Sequence, residues 1–317
     1  MMLVESFDAT KRMPEQHRHA AMLKGSGLLP RRVIFGNPER CVVRISPDGA
    51  RIAFLAPVDG VLNLWVAPID QIDDARPATA VTDRNLGSSI VWMHDNRHIV
   101  FFREQAGDEN WRAWRVDLRT TEIRPLTPGP GVRCYVQQSS RHFPSELLIA
   151  HNERDKRYFD IYRIDIATGE STLLQANEGF TSHFTDQQFR VRYAVRHGDN
   201  GDVEYLQRGT DGEWDRFTRI SADDAVATRA IEFSADGREL YWLDSRGRDT
   251  AAAVAHDLES GTMRILAEDP RADFTHLLLD PNRAPGRGST YIRACPVGGA
   301  GPGLRARFQL PHAPIIG

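Results

Sequence analysis

The chain has 317 residues, 41% of them hydrophobic and 26% charged, with a net charge of −3. That length supports a large core or two domains, and the near-neutral balance lacks the basic stripe of a nucleic-acid-binding domain. No apolar run approaches the ~18 residues of a membrane-spanning helix. The three cysteines, Cys41, Cys134 and Cys295, are odd in number and far apart, which excludes a disulfide framework. Met1 to Asp8 carry acids where a signal peptide carries basic residues and an apolar stretch, so a cytoplasmic protein is expected.

In chain order, residues 1–28 match no repeat and read as an N-terminal extension, with a weakly apolar helix between Lys11 and Lys24. The stretch from Leu29 to Arg40 reads as a strand-like lead-in. A repeat then begins. Ser46-Pro47-Asp48-Gly49 is a turn, since proline presets φ at the second position while Asp and Gly tolerate the conformations needed at the third and fourth. The apolar runs Arg51 to Leu55 and Leu62 to Ala67 flank a second turn, Pro57 to Gly60, and a weaker outer strand is expected about Thr79 to Thr82. Equivalent turns recur near residues 93, 140, 186 and 234. A period of roughly 47 residues with four short strands per unit predicts an all-β protein, a β-propeller of four-stranded blades with about five blades visible.

Between third and fourth strands, Asp165 to Glu170 and Asp257 to Gly261 form polar turns in which glycine supplies a positive φ, and Asp117 to Glu122 fills that place in blade two. The propeller is expected over residues 29–280. From Pro281 to Gly317 there is no Asp or Glu, and Pro, Gly and Arg dominate. Residues 281–317 therefore read as a disordered tail, whether a flexible linker or the out-of-frame end of a longer gene. Thr275 to Pro281 reads as a further blade beginning.

With the blades laid out, the chain resembles the amino-terminal propeller of the prolyl oligopeptidase family of serine peptidases, nearest in pattern to the bacterial dipeptidyl and acylaminoacyl peptidase type. The residues that carry the resemblance run from Leu29 through Val33-Ile34-Phe35-Gly36-Asn37-Pro38, then Ser46 to Gly49, Ile52-Ala53-Phe54, Asn63-Leu64-Trp65 and Gly107-Asp108-Glu109-Asn110-Trp111. The Ser-Pro-Asp-Gly turn is shared with periplasmic TolB-like propellers. The resemblance implies seven or eight blades capping an α/β-hydrolase domain with a Ser-Asp-His triad. This sequence has no Gly-x-Ser-x-Gly elbow, so no catalytic residue is assigned and the chain alone is expected to be inactive and truncated. The expected partners are peptides and a separate α/β-hydrolase chain, with no nucleic acid, membrane or cofactor. The alternative is a stand-alone propeller acting as an interaction scaffold.

Asp108, Glu109 and Asn110 are the candidate substrate-binding residues, in the loop between the second and third strands of blade two. Such loops share one face with the linkers between blades, where ligands bind propellers. Carboxylates there suit a peptide's ammonium end, and the resemblance points the same way, with Glu109 the leading residue. The competing reading is a solvated turn with Trp111 packed into the blade. His94 and His98 flank a turn, and His17 and His19 lie in a polar segment, so no metal site is expected. Trp65, Trp114 and Trp242 are expected to pack between blades, and Arg31-Arg32 and Arg246-Gly247-Arg248 to be solvated.

Overall fold

The alternating apolar runs pair into five four-stranded antiparallel sheets in a computed structural model that describes residues 31–209 and 211–277. Blade one comprises β1 (Cys41–Ile45), β2 (Arg51–Val58), β3 (Val61–Pro68) and β4 (Arg76–Pro77). Blade two holds β5 (Ile90–Trp92), β6 (His98–Arg103), β7 (Arg112–Asp117) and β8 (Ile123–Pro125). Blade three holds β9 (Cys134–Ser139), β10 (Glu146–Asp155), β11 (Tyr158–Asp165) and β12 (Ser171–Gln175). Blade four runs β13 (Ser182–Thr185), β14 (Val191–His197), β15 (Val203–Arg208) and β16 (Trp214–Ile220). Blade five runs β17 (Arg229–Phe233), β18 (Glu239–Asp244), β19 (Ala252–Asp257) and β20 (Met263–Ala267). Strand order follows chain order in every sheet, so each blade is a meander closed by short turns.

Because strand side chains alternate between faces, each blade offers apolar residues to both neighbours. Ala53, Leu55 and Leu64 of blade one meet Ile90, Ile99, Phe101 and Val116 of blade two. Val100, Phe102 and Ala113 use the other face of blade two against Leu147, Ile149 and Ile164 of blade three. Tyr193, Val195 and Tyr205 of blade four pack on Phe233, Leu240 and Trp242 of blade five. The structure is a β-propeller arrangement of blades.

The first turn of each blade reaches to the next. Within the turn of blade one, the Gly49 amide donates to the Ser46 carbonyl at 2.8 Å, with Gly49 at φ +74°. The same bond closes blade five, from Gly237 to Ser234 at 2.8 Å, and in blade two Asn96 takes the left-handed place at φ +57°. The Asp48 amide donates to Asn96 Oδ1 (3.0 Å), Asp95 N to the Pro144 carbonyl (3.1 Å), Ser140 Oγ to the Gln187 carbonyl (2.6 Å) and Arg192 Nη1 to the Gly237 carbonyl (3.3 Å). At least one hydrogen bond at each junction thus ties neighbouring blades at the end that carries these turns.

The turns between third and fourth strands form as expected, with Gly169 at φ +80° and Gly261 at φ +70°. Thr121 occupies the same place at φ +60°, where a β-branched residue is strained. Thr121→Gly is therefore expected to stabilise the protein by ~0.5–1 kcal/mol in urea denaturation, the strain relief exceeding the entropy that glycine loses. Unchanged or reduced stability would show that the 2.6 Å bond from Thr121 Oγ to the Thr120 carbonyl outweighs the strain.

Three details differ from the sequence reading. Arg31–Phe35 is a helical turn, α1, instead of a strand-like lead-in. Gly36, a poor helix former, follows its last residue, and no strand pairs with this segment among the described residues. The outer strand of blade one is Arg76–Pro77, not Thr79 to Thr82. Thr79 and Val81 are instead gathered by the fully buried Asn63 side chain, which accepts from Thr79 Oγ1 (2.8 Å) and Val81 N (2.7 Å) and donates to the Val81 carbonyl (2.9 Å). The amide group of Asn63 supplies the bonds that a strand ladder would have made. Third, Phe274 to Leu277 form no strand but lie against Leu243 and Ala253 on the outer face of blade five. The expected extension and tail lie outside the described residues, as do Leu278 to Pro281 and Cys295.

Candidate functional site

The β6–β7 loop, residues 104–111, lies where the sequence placed it, on the face that carries the linkers between blades. Its backbone is highly specified. Ala106, Gly107 and Glu109 are all left-handed, at φ +54°, +81° and +54°. Asp108 accepts from Gln105 N and Asn110 N, both at 3.1 Å, and from Asn110 Nδ2 at 3.3 Å. The Gln105 amide, then that of Asn110, holds the Asp108 carboxyl below its usual range. Asp108 and Asn110 are therefore internal struts of the loop, while its remaining carboxylates divide into one committed and one free.

The committed one is Glu104. Its Oε2 accepts the Glu109 amide at 2.9 Å, and its Oε1 pairs with Arg84 Nη1 at 3.1 Å. Only 10% of its side chain is exposed. Arg84 comes from the linker between blades one and two and lies against Gly107, where an added Cβ would stand 2.8 Å from Nη2. Glycine suits that position chiefly through its φ of +81°, since the half-exposed Arg84 guanidinium could shift away from a side chain there. The free carboxylate is Glu109, exposed and with no hydrogen bond or ion pair to its side chain among the described residues. A non-glycine residue held left-handed by its surroundings is a recurrent mark of functional loops.

Neither Arg84 nor Glu104 was singled out by sequence reasoning. They are 20 residues apart, and nothing in either local sequence announces the pair. The same linker explains the Phe-Gly-Asn-Pro stretch. Asn37 exchanges hydrogen bonds with Asn85, at 3.1 and 2.8 Å, and also donates to the Gly60 carbonyl at 2.8 Å. Asn85 in turn accepts from Leu62 N at 2.7 Å. Trp111 is half-buried in the cluster between blades two and three, and a Cβ on Gly87 would lie 3.0 Å from its ring. Its carbonyl receives Cys134 N at 3.0 Å. Trp111 anchors the loop's end and Glu109 projects from it.

The other singled-out residues have structural positions. His98 is buried, 2.5 Å from Asp95 Oδ2, with Asp117 Oδ2 at 3.8 Å on its other nitrogen. His94 is partly buried, and burial, then Arg141, lowers its pKa. No group of three potential ligands converges on a metal site among the described residues. Trp242 is fully buried and Trp114 packs between blades one and two. Trp65 departs from expectation: it lines an open groove with Phe54, Pro57 and Ile72 on the outer face of blade one, its Nε1 donating to the Ala56 carbonyl at 3.0 Å. Arg246 is not a solvated charge either. It grips Asp244 with two nitrogens, at 2.9 and 2.8 Å, and lies over the Trp242 ring, because a guanidinium can stack and pair at once.

No family model matches the chain. It is 38% identical over 263 residues to dipeptidyl aminopeptidase BIII of Pseudoxanthomonas mexicana, covering 83% of this chain and 38% of that protein. It is 26% identical over 271 residues to dipeptidyl peptidase family member 6 of Caenorhabditis elegans, covering 80% and 36% respectively. The chain thus spans less than two-fifths of the length of these curated relatives. A puromycin-hydrolysing peptidase of Mycobacterium tuberculosis shares the fold, with a TM-score of 0.50 at 12% identity over 72% of this chain and 38% of that one. With homology along most of its length to dipeptidyl peptidases and its repeats folded as four-stranded blades, the chain belongs to the prolyl oligopeptidase family, as a β-propeller portion of the dipeptidyl peptidase type.

Proposed function

We propose that this chain is the substrate-selecting propeller of a prolyl-oligopeptidase-type peptidase, and that Glu109 holds the free amino terminus of a short peptide. The observation that carries the reading is the division of labour in the 104–111 loop. Every other acid there is committed to the loop's own architecture, while Glu109 is held in a left-handed conformation with an uncommitted carboxylate. An ammonium group is the natural partner for such a carboxylate. Relatives that carry the name dipeptidyl peptidase support a substrate with an unblocked amino end. Hydrolysis is assigned to an α/β-hydrolase portion outside this sequence, which contains no Gly-x-Ser-x-Gly.

The test is calorimetric binding of a tripeptide and its N-acetylated form to the purified chain. The unblocked peptide is expected to bind about threefold to fivefold more tightly, and Glu109→Gln to abolish the preference, since an ion pair to an exposed carboxylate contributes up to about 1 kcal/mol. Equal binding of the two peptides would remove Glu109 from the reading and leave the stand-alone scaffold in its place. Aminoacyl-nitroanilides are expected to show no turnover above buffer with this chain alone.

A further inference from the structure

Three of the four blade junctions are filled by extended apolar clusters, and the junction between blades three and four is not. Its buried cluster has three members, Leu148, Ile161 and Phe189, with Phe143 and Val191 beside them. The junction between blades four and five has eleven. Since apolar area sets the strength of such contacts, the third junction is the weakest apolar seam. Beyond the Phe143–Phe189 stack at 4.6 Å, over which the Arg163 guanidinium lies, polar side chains bridge it. Gln137 Nε2 donates to the His183 carbonyl (2.9 Å), Thr185 Oγ1 to Gln138 Oε1 (3.4 Å) and Arg208 Nη1 to Gln175 Oε1 (3.3 Å).

His183 stands in this seam on β13 and is only 4% exposed. Its Nε2 is buried with no hydrogen-bond partner. Phe180 from the linker and Trp214 from β16 border the ring, at 5.6 and 6.2 Å between centroids. The charged group that attracts a proton to it is Asp160 on β11 of blade three. That carboxylate is already taken by two bonds from Arg154 and one from Asn177 N, all at 2.7 Å. Arg208 lies beyond Trp214, 5.5 Å from its ring. β9 and β14 contribute the neutral Gln137 and Ala194, and His151 lies opposite Asp160 in the β10–β11 register. A second proton on His183 would therefore place a buried, unpaired charge in the thinnest junction of the stack.

We propose that the seam between blades three and four is an acid-operated hinge, at which protonation of His183 parts the first three blades from the last two. Burial holds the His183 pKa down at about 4, whereas an exposed histidine titrates near 6.5. Closure is therefore fully favoured above pH 6.5 and is lost as pH falls toward 4. Between pH 7 and pH 5 the opening equilibrium is expected to rise about twentyfold.

Hydrogen exchange of the full chain at pH 7 and pH 5, corrected for intrinsic rates, tests this. Amides of β9 and β13 are expected to lose protection at pH 5 while those of β6, β7, β18 and β19 keep theirs. His183→Phe, neutral at both pH values, is expected to remove the change. Uniform loss across all blades, or an unaltered pH response in the variant, would overturn the hinge. If the variant does not fold, where protection is lost in the wild-type protein decides the matter alone.

Discussion

Trp242→Ala is expected to cost ~3–5 kcal/mol in urea unfolding followed by far-UV circular dichroism, the range for removing a large buried aromatic. Trp242 is fully buried at the junction of blades four and five, with Tyr205 edge-on at 4.9 Å and the Arg246 guanidinium 5.7 Å from its ring. Repeats that touch only their neighbours lose the interface before they lose the fold. Blade five is therefore expected to separate first, seen as an added transition with a reduced slope against denaturant. Trp242→Phe should cost much less. It keeps most of the ring volume and also removes the indole N–H, which is buried without a partner. A loss below about 1 kcal/mol for the alanine variant would show that blade five does not pack there in solution.

Asp160→Ala is expected to lower stability by ~2–4 kcal/mol at pH 7. Its carboxylate is fully buried, and the three 2.7 Å bonds from Arg154 and Asn177 satisfy it. Arg154, about half exposed, can return to water, which keeps the cost below that of stranding a buried cation. The Asn177 amide cannot, because Asn177 is itself buried. Burial pushes the Asp160 carboxyl up, but the Arg154 bonds and the Asn177 amide outweigh it, so the net shift is downward. A depressed carboxylate stabilises the fold above its unfolded pKa near 3.9 and loses that contribution as pH falls through the folded value. The gap between wild type and variant in guanidinium midpoints should therefore narrow from pH 7 to pH 3. A gap of constant size would assign the effect to packing alone.

Much of the fold was legible because its turns are local. Ser46-Pro47-Asp48-Gly49 and Ser234-Ala235-Asp236-Gly237 close with the same bonds, and their spacing by a whole number of blades revealed the repeat. The position of the 104–111 loop was legible too, since it comes from counting strands. The left-handed Glu109 was not, because nothing in Asp108-Glu109-Asn110 distinguishes a strut from a free carboxylate until Glu104 and Arg84 arrive. The same holds for Arg246, which looked solvated until Asp244 and Trp242 enclosed it.

What the sequence determined by itself is the set of turns, the alternation of apolar residues along each strand and hence the stack of blades. These depend on backbone preferences and side-chain period within a few residues. Tertiary structure alone decided that Asn63 replaces a strand ladder, that Asn37 clasps Asn85, and that blades three and four meet through glutamines and a buried histidine. Those partners lie 18 to 48 residues apart. Only the folding of whole blades and their stacking bring them within hydrogen-bonding distance, and no local preference encodes which ones meet.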